Sequence, residues 1–529
     1  MFAPNSTIRL MKGVPLDSTY RNTIWFDNIE EQTKHFMSTY DYKLFSNQTY
    51  QRYGRGTLRI SALADELYDY NYIAFRNNVN GTQGKIFYCF INSVEYIAER
   101  TTEIRYEIDY MQTYFFDYSL GDCFVEREHS VTDEIGDNLV PEGLDCGELV
   151  AANYSMIDEL TDLDMCVAST SYTIDGNVVD TDGEIYNGLF SGQRLTHFPM
   201  DVNGINQLRQ FLGTLTEKAK SDGITSLFLV SRHIANLSNE PIQQTEHKVN
   251  KIYGIRKTDG KLPNNNKLFT FPYCMLYVTN MQGESAIYPY EYFADNECVF
   301  YFFGDYSPMP SVILYPFRYK GILQNYDEKL TLTGYPQLSF NIDTYKAYIA
   351  QNSGKIVSQA VNTTVDIGKN IASTAISTAI NPISGVTGAL STGANALKDV
   401  TSTIGAYRDL AVKPPHSVGG VSISLAFASE KLLNFQFIHK HIRPEYVDII
   451  DGYFDMYGYS THKVKIPNTH SRPFWNYVKT SGCNIFTKNT SNGLPSLAIE
   501  RIKNIYDNGI TFWNKSAVMG DYTQDNKPR

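Results

Sequence analysis

The sequence is poor in the features that mark most enzymes. Its 529 residues contain no Gly-x4-Gly-Lys phosphate loop and no Gly-x-Gly-x-x-Gly dinucleotide fingerprint. Carboxylates are so numerous that no pair can be singled out as the acid and base of a glycosidase. We therefore expect a protein that has no catalytic residues, binds no cofactor and is not an enzyme.

Metal-binding and disulfide patterns are also lacking. The seven cysteines are widely spaced, without a Cys-x-x-Cys pair, which favours buried thiols in a reducing compartment over a disulfide framework. His129 and Asp133, with His439 and His441 much later, have the spacings of a cell-wall zinc endopeptidase, but their flanks are not typical of a catalytic metal site. The acidic hairpin at 180–184 lacks the later Glu of a calcium loop. We expect no metal site.

Positive charge is scarce in the first two thirds of the chain. The net charge of −11 divides into −18 for residues 1–344 and +7 for residues 345–529. An acidic majority argues against tight nucleic-acid binding, which depends on cationic side chains, but it would let DNA slide past. The first 15 residues have no continuous apolar core, so we expect no signal peptide and synthesis in a cytoplasm.

Aromatic residues are abundant, although tryptophan is rare: there are 39 Tyr and 3 Trp. Tyr suits half-buried sheet surfaces and wet interfaces, and the aromatic, β-branched runs at 85–91 and 226–230 have the composition of strands. Dipeptides that tolerate the positive φ of hairpin turns recur between such runs. These dipeptides are Asn80-Gly81, Asp175-Gly176, Asp182-Gly183, Asn187-Gly188 and Asp259-Gly260.

Helical spacing of apolar residues occurs in only a few places outside the middle of the chain. It predicts a helix over 205–215 in the β-rich region and helices over 444–457 and 494–506 near the end. Residues 425–438 have the composition of a strand. The predicted fold class is therefore mainly β with α+β parts.

A segment without charge interrupts this pattern. The 28 residues from 370 to 397 include no charged residue, and 17 of them are Ala, Gly, Ser or Thr. Apolar residues in helical spacing, broken at Asn381-Pro382, predict a helical hairpin or two weak helices. The candidate functional residues of this segment are Ile371, Ile376, Ile380, Pro382, Ile383, Val386, Leu390 and Leu397.

Three interpretations of this segment remain open. As one helix it would be long enough to cross a bilayer, but Ser, Thr, Gly and Pro make it far less apolar than an ordinary membrane anchor. It is also compatible with a flexible low-complexity linker. The third interpretation is a conditional element, which packs against copies of itself through small residues and is later exposed to a membrane.

The change in composition suggests four regions along the chain. Residues 1–130 form a β-rich N-terminal region, and 131–344 form a β-rich middle region with one helix. Residues 345–415 are the charge-poor insertion, and 416–529 form a C-terminal α+β region.

Six short sequence blocks are distinctive, and they occur in a fixed order from one end of the chain to the other. The blocks are Val14–Leu16 with Tyr20–Phe26 (YRNTIWF), Tyr106–Tyr114 (YEIDYMQTY), Phe124–His129 (FVEREH) with Glu142–Leu144, Phe271–Cys274 (FPYC), Phe474–Val478 (FWNYV) and Asp507–Trp513 (DNGITFW). Together they resemble the distal tail tube, or tail knob, proteins of small short-tailed phages (podophages, picovirus-like) that infect Gram-positive bacteria. The second block has Tyr114 where that family has Trp.

The resemblance implies a virion structural protein with tail-hub-like β-barrel domains. It implies six copies that form a ring or tube, continue the tail and end in a knob. A hydrophobic loop from each copy would plug the lumen and leave it on infection to form a channel in the host membrane for DNA. By its position in the chain, that loop corresponds to residues 345–415.

The resemblance also implies partners and a location. The partners would be the proximal tail or lower collar (connector) protein, the tail tip and receptor-binding appendage proteins, the host membrane, and genomic double-stranded DNA in transit without sequence-specific binding. The protein would be made in the host cytoplasm and reside in the virion tail. A receptor-binding adhesin and a cell-wall-degrading tail tip protein remain as alternatives.

Overall fold

The computed structural model describes residues 5–48, 56–79, 82–218, 220, 223–237, 243–338, 432–488 and 493–528. The chain divides into two compact units, and each is built from separate stretches of sequence. Unit 1 consists of residues 1–147, 255–270 and 443–529. Unit 2 consists of residues 148–254 and 271–442.

The described residues of the N-terminal stretch of unit 1 form nine strands and two α-helices. The strands are β1 (Asn5–Lys12), β2 (Asn22–Ile24), β3 (Tyr42–Gln48), β4 (Thr57–Ile60), β5 (Tyr70–Val79), β6 (Thr82–Ala98), β7 (Thr101–Ile108), β8 (Tyr118–Leu120) and β9 (Cys123–Glu128), and the helices are α1 (Ile29–Ser38) and α2 (Tyr110–Tyr114). Six strands form an antiparallel sheet in the order β3-β1-β5-β6-β7-β4. Alternate residues of β1, such as Ile8 and Leu10, are buried, as the two-residue period of a strand requires.

Unit 2 is mainly β as well. Its strands are β10 (Leu149–Met156), β11 (Leu163–Ser169), β12 (Ser171–Ile174), β13 (Asn177–Asp180), β14 (Glu184–Tyr186), β15 (Leu189–Ser191), β16 (Arg194–Pro199), β17 (Ile224–Ser231), β18 (Thr245–Asn250), β19 (Cys274–Thr279), β20 (Ser285–Tyr288), β21 (Glu297–Asp305), β22 (Ser311–Tyr319), β23 (Ile322–Gln324), β24 (Leu330–Leu332), β25 (Gln337–Leu338) and β26 (Gln436–Ile442), and its helices are α3 (Val202–Glu217) and α4 (Arg232–Asn236). Its main sheets have the orders β10-β26-β19-β20, β16-β11-β17-β25 and β18-β21-β22-β23, with β24 also paired to β22. One apolar core joins these sheets, and its largest buried side chains include Tyr288, Tyr290 and Tyr319.

The C-terminal stretch completes unit 1. It contributes β27 (Tyr459–Lys465), β28 (Trp475–Ser481), β29 (Ile485–Thr487), β30 (Ile510–Trp513), α5 (Pro444–Tyr457) and α6 (Ser496–Asn508). Its strands join earlier ones in a five-stranded sheet of order β2-β30-β28-β9-β27, and β29 pairs with β8. Within this sheet β2 and β30 run parallel, so strands from the two ends of the chain lie side by side.

The three helices predicted outside the charge-free segment are present, and local chemistry explains their ends. The helical hairpin predicted within that segment lies outside the described residues. In α3 the residues Leu208, Phe211 and Leu215 form a buried face, as their spacing predicts. The helix predicted over 444–457 is α5, with a proline in its first turn. The helix predicted over 494–506 is displaced to α6, because Pro495 is extended and occupies the N-cap position.

Two of the predicted turns have the expected backbone. Asp175-Gly176 has φ of 48° and 78°, and Asn187-Gly188 has φ of 50° and 77°, so both residues of each pair are in the left-handed region that favours these types. The turn predicted at Asn80-Gly81 lies outside the described residues. The strand predicted over 425–438 begins only at Gln436 within the described part of the chain, and its first seven residues lie outside it.

The mainly β fold with α+β parts is confirmed. The compact units, however, are discontinuous, whereas the sequence suggested contiguous regions with boundaries at 131, 345 and 416. Composition changes along the chain, but it carries no signal for a sheet whose strands come from distant segments. Among the residues that the structure describes, none of the helices combines the length and apolar character that a membrane crossing requires.

A matched pair of glycines tests the packing of unit 1. Gly458 (φ 63°) ends α5, and a Cβ there would press on the carbonyl of Glu128 in β9, whereas one at Gly143 (φ 65°) would meet nothing. We expect Gly458→Ala to lower the free energy of unfolding by roughly 2–3 kcal/mol more than Gly143→Ala, because only the first adds a backbone clash to the cost of positive φ. Urea unfolding of the two variants measures the difference, and equal losses would contradict this packing.

Candidate functional site

The first two sequence blocks are joined by two hydrogen bonds of the Tyr20 hydroxyl. The Tyr20 hydroxyl donates to the Ile108 carbonyl oxygen (3.1 Å) and accepts from the Tyr110 backbone N–H (3.0 Å). The block around Tyr20 is therefore held against the start of α2, where the second block lies.

Gln112 of the second block connects three elements. Its side-chain amide donates to the Thr23 hydroxyl (2.9 Å) and to the Ile24 carbonyl (2.8 Å) in β2. The Gln32 side chain from α1 donates in turn to the backbone carbonyl of Gln112 (2.8 Å) and to its side-chain oxygen (2.9 Å). Because these groups are buried, losing one partner would leave an unsatisfied polar group in the core.

Asp109 of the same block caps α2. One carboxylate oxygen accepts from the Gln112 backbone N–H (3.0 Å), and the other accepts from the Tyr72 hydroxyl (2.8 Å). Burial raises the pKa of Asp109 to about 6, although the hydrogen bonds from Gln112, Tyr72 and Met111 oppose the shift.

The C-terminal blocks meet the N-terminal ones through the three tryptophans of the chain. The Trp25 backbone N–H donates to the Trp513 carbonyl (2.9 Å), and the Trp513 indole N–H donates to the Asn22 side-chain oxygen (2.8 Å). The rings of Trp475 and Trp513 lie 5.2 Å apart on the neighbouring strands β28 and β30. The first, second, fifth and sixth blocks therefore meet around the five-stranded sheet of unit 1.

Glu142, which belongs to the third block, anchors a buried ion cluster in unit 1. Its carboxylate contacts Lys267 and Arg127 and accepts from the Ser460 backbone N–H (2.9 Å) and hydroxyl (2.8 Å). Burial alone would raise the pKa of Glu142, but the two cations outweigh it and hold the pKa below its ordinary value. The ions are therefore paired, as buried charges must be.

A second cluster fixes residues 255–270 onto α5. Asp451 accepts from the backbone N–H groups of Asn264 (2.9 Å) and Asn265 (3.0 Å) and forms an ion pair with Lys257. The Asn265 side chain also donates to Asp455 (2.8 Å). Residues 255–270 contain one 3-10 turn and no strand. Carboxylates on α5 thus hold this segment in place.

The histidines of the zinc pattern have other partners. In unit 1, His129 accepts at Nδ1 from the Tyr477 backbone N–H (2.7 Å) and donates from Nε2 to the Asp455 carbonyl (3.1 Å), and burial lowers its pKa to about 3. In unit 2, His439 contacts the Tyr290 hydroxyl. No group of three or more potential metal ligands is found in the portion of the chain that the structure describes.

The candidate residues of the charge-free segment lie outside the described residues. These are Ile371, Ile376, Ile380, Pro382, Ile383, Val386, Leu390 and Leu397. The described chain ends at residue 338 before this segment and resumes at residue 432 after it, and both of these positions belong to unit 2.

The described residues nearest to the insertion, 336–338 and 433–437, are bound within unit 2. Before it, the Pro336 carbonyl accepts from the Leu229 N–H (2.9 Å), and Leu338 pairs with Leu227. After it, the buried Asn434 side chain donates to the Ile157 carbonyl (2.8 Å) and accepts from the Ile157 N–H (3.1 Å). We call these two anchors the insertion stems: residues 336–338 and 433–437.

Sequence reasoning missed the residues that form the anchors and the ion clusters. Asn434 carries a signal that could have been used, because it is an amide flanked by Leu433 and Phe435, and a polar residue between apolar ones needs a partner if it is buried. Lys267 and Asp451 carry no such signal, since their partners are more than a hundred residues away in the sequence.

Comparison with known proteins agrees with the fold and the blocks. Residues 4–119 match the family model described as Caudoviral major tail protein N-terminus, and residues 234–527 match that described as Bacillus phage phi29, Tail knob protein gp9, C-terminal domain. The protein is therefore a structural component of a bacteriophage tail. More particularly, it belongs to the family of tail knob proteins.

Relatives and a solved structure extend over the whole chain. The tail knob protein gp9 of Bacillus phage B103 is 25% identical, covering 99% of this chain and 98% of the relative. That of Bacillus phage phi29 is 24% identical, covering 99% of each. The structure of the bacteriophage C1 tail knob protein, gp12, aligns with a TM-score of 0.60 and 13% identity over 98% of both chains, which shows the same fold.

The raised pKa of Asp109 predicts that the stability of the folded protein depends on pH. A carboxyl group whose pKa is higher in the folded than in the unfolded state stabilises folding fully at low pH and loses this contribution as pH rises from its unfolded value of 3.8 to about 6. Asp109→Asn keeps an oxygen that accepts from the Gln112 N–H and places an NH2 group, which can donate to the Tyr72 hydroxyl, where the second oxygen was, but it cannot ionise. We expect the stability of the wild type relative to this variant to fall by on the order of 2 kcal/mol from pH 4 to pH 7.

The measurement is urea unfolding of both proteins across this pH range. Asp65→Asn, at an exposed position, serves as the control and should follow the wild type at every pH. A difference between wild type and Asp109→Asn that is independent of pH would contradict the buried, titrating carboxyl.

Proposed function

We propose that the chain assembles as a homohexameric tail tube or knob through which the genome is ejected, and that its insertion is membrane-active. In this proposal residues 345–415 plug the lumen and, on infection, form a channel in the host membrane for DNA. Residues 1–130 and 416–529 build the tube, and 131–344 contribute to knob and tube. The protein has no catalytic role and is made in the host cytoplasm before it joins the virion.

The observation that carries the proposal is the position of the insertion between two fixed stems. The stem residues 336–338 and 433–437 are bound into sheets of unit 2, so the insertion can leave its place without any strand of the described sheets being lost. A segment that plugs a lumen and later enters a membrane needs such an attachment.

The composition of the insertion supports its proposed place in the lumen of the tube and its proposed place in the host membrane. Even one Asp or Lys at the centre of a bilayer costs on the order of 2.5–3.5 kcal/mol on insertion scales, and residues 370–397 contain none. Their Gly, Ala, Ser and Thr residues allow helices to approach closely, first against sister copies in the lumen and then in lipid.

Charge supports the passage of DNA without binding. The net charge of −18 on residues 1–344 repels phosphate, so the genome would not adhere to the tube. The further partners of the proposal are the lower collar protein above, and the tail tip and receptor-binding appendage proteins around it.

A charge scan tests the membrane role. Ile376→Asp/Ile380→Asp places two charges in the uncharged segment, and we expect it to reduce dye leakage from liposomes at least tenfold, because each charge opposes insertion by more than 1.4 kcal/mol. The matched control is Ile322→Asp/Leu323→Asp, which changes two exposed residues of β23 and should leave leakage unchanged. A shortened variant without residues 370–397 should also assemble but cause no leakage.

Dye leakage that persists in both the charged and the shortened variants would show that the insertion is not membrane-active. Electron micrographs of each variant verify that rings or tubes still form, so that a failure of assembly is not mistaken for a loss of membrane activity.

The copy number tests the assembly. Six chains of 60.0 kDa give about 360 kDa, and native mass spectrometry of the assembled protein should find this mass. Three chains, about 180 kDa, would favour the receptor-binding adhesin instead.

A further inference from the structure

Cys123 and Cys483 lie where two distant parts of the chain meet in unit 1. In the antiparallel pair β9–β28, Phe124 stands opposite Ser481, and the Gly121 N–H donates to the Asn484 carbonyl (2.9 Å) beyond the end of β28. A regular ladder in this register would turn Cys123 and Cys483 to opposite faces of the sheet, because successive side chains alternate.

The backbone at Gly482 breaks this alternation. Gly482 has a φ of 68° and directly follows β28, so the chain bends before it reaches Cys483. Asp507 stabilises the bend, since its carboxylate accepts from the Cys483 N–H (3.1 Å) and from the Thr480 hydroxyl (2.7 Å). Cys483 is thereby directed toward the core.

The two thiols consequently share one environment. Both belong to the same apolar core cluster of unit 1, with 4% of Cys123 and 1% of Cys483 exposed. Burial raises the pKa of both thiols, and each thiol also acts on the pKa of the other. The other cysteines have different neighbours: the Cys166 thiol contacts the Tyr306 hydroxyl (3.1 Å), and the Cys274 thiol contacts the Ile252 carbonyl (3.8 Å).

We propose that Cys123 and Cys483 are a latent disulfide site, reduced when the protein is made and oxidised by peroxide once the virion has left the cell. The Cys123 thiolate attacks one oxygen of hydrogen peroxide, the O–O bond breaks, and the departing hydroxide takes the thiol proton to form water. The Cys483 sulfur then attacks the sulfenic sulfur of Cys123. The S–S bond forms, the S–O bond breaks, and hydroxide takes the Cys483 proton to form a second water.

Hydrogen peroxide is the appropriate oxidant because of its size. A bulky disulfide reagent would have to form a mixed disulfide with a thiol that is almost fully buried, whereas peroxide is little larger than water. The Asn484 backbone interaction lowers the pKa of Cys123, opposing the increase that burial causes, whereas burial raises the pKa of Cys483 to about 12. Cys123 is the more exposed of the two thiols, so in this proposal it is the attacking residue and Cys483 the resolving one.

The crosslink would connect the N-terminal and C-terminal stretches of unit 1. These stretches form one sheet but are separated along the chain by residues 148–442. A bridge that closes so long a loop restricts the unfolded chain strongly, so the oxidised protein gains stability without any change in its sheets.

Peptide mapping tests the site directly. Purified full-length protein is treated with hydrogen peroxide, unfolded in an alkylating agent and digested with trypsin. We expect a linked pair of peptides, residues 106–127 and 480–488, lighter than their sum by two hydrogen atoms, and restored to separate peptides by dithiothreitol. Peroxide treatment that oxidises Cys146, which is partly exposed, without linking this pair would overturn the proposal.

Thermal unfolding of the wild type supplies a second readout, and two variants serve as its controls. The melting temperature of the wild type should rise by several degrees on oxidation and return on reduction. Cys483→Ser should abolish this reversible rise, and Cys146→Ser should retain it. A wild-type melting temperature that peroxide leaves unchanged, although the linked peptides are present, would contradict the stabilising role of the crosslink.

Discussion

The parallel pairing of β2 with β30 is the interaction on which unit 1 depends. It places residues from the beginning and the end of the chain side by side, and polar groups fix its register: the Trp513 indole binds Asn22, and Gln112 binds Thr23 and Ile24. A short parallel pair has little stability of its own, so these buried hydrogen bonds and the surrounding tryptophans provide the specificity. Four of the blocks that resemble the family are thus the residues that join the two ends of the chain in unit 1.

Buried ion pairs fix the position of the segment 255–270, as hydrogen bonds fix the register of β2 and β30. This segment lacks a strand that could tie it to a sheet, and carboxylates on α5 and at Glu142 bind its backbone and its lysines instead. Such ion pairs gain little net stability, because desolvation offsets their attraction, but a wrong placement would leave a charge buried without a partner. The ion pairs therefore leave this segment few alternative positions on unit 1.

Much of the fold could be predicted from local patterns, and the remainder depends on distant contacts. The buried face of α3, the extent of α5 and the Asn187-Gly188 turn follow from spacing and turn chemistry, which act over a few residues. The discontinuous units could not be predicted, because the pairing of β9 with β27 and β28 joins segments separated by more than 300 residues. The blocks around Asp109 and Trp475 indicated the family correctly, while their structural role emerged only from the contacts between them.

The discontinuity of unit 1 also sets the order in which the protein can fold on the ribosome. Unit 2 has all its residues once position 442 has been synthesised, whereas the five-stranded sheet of unit 1 lacks its second strand until residue 513 has emerged. One side of the core of the N-terminal sheet therefore remains incomplete while roughly three hundred residues, mainly unit 2 and the insertion, are translated. The fold of unit 1 is therefore completed only when the last strand of this sheet, which lies near the end of the chain, has been synthesised.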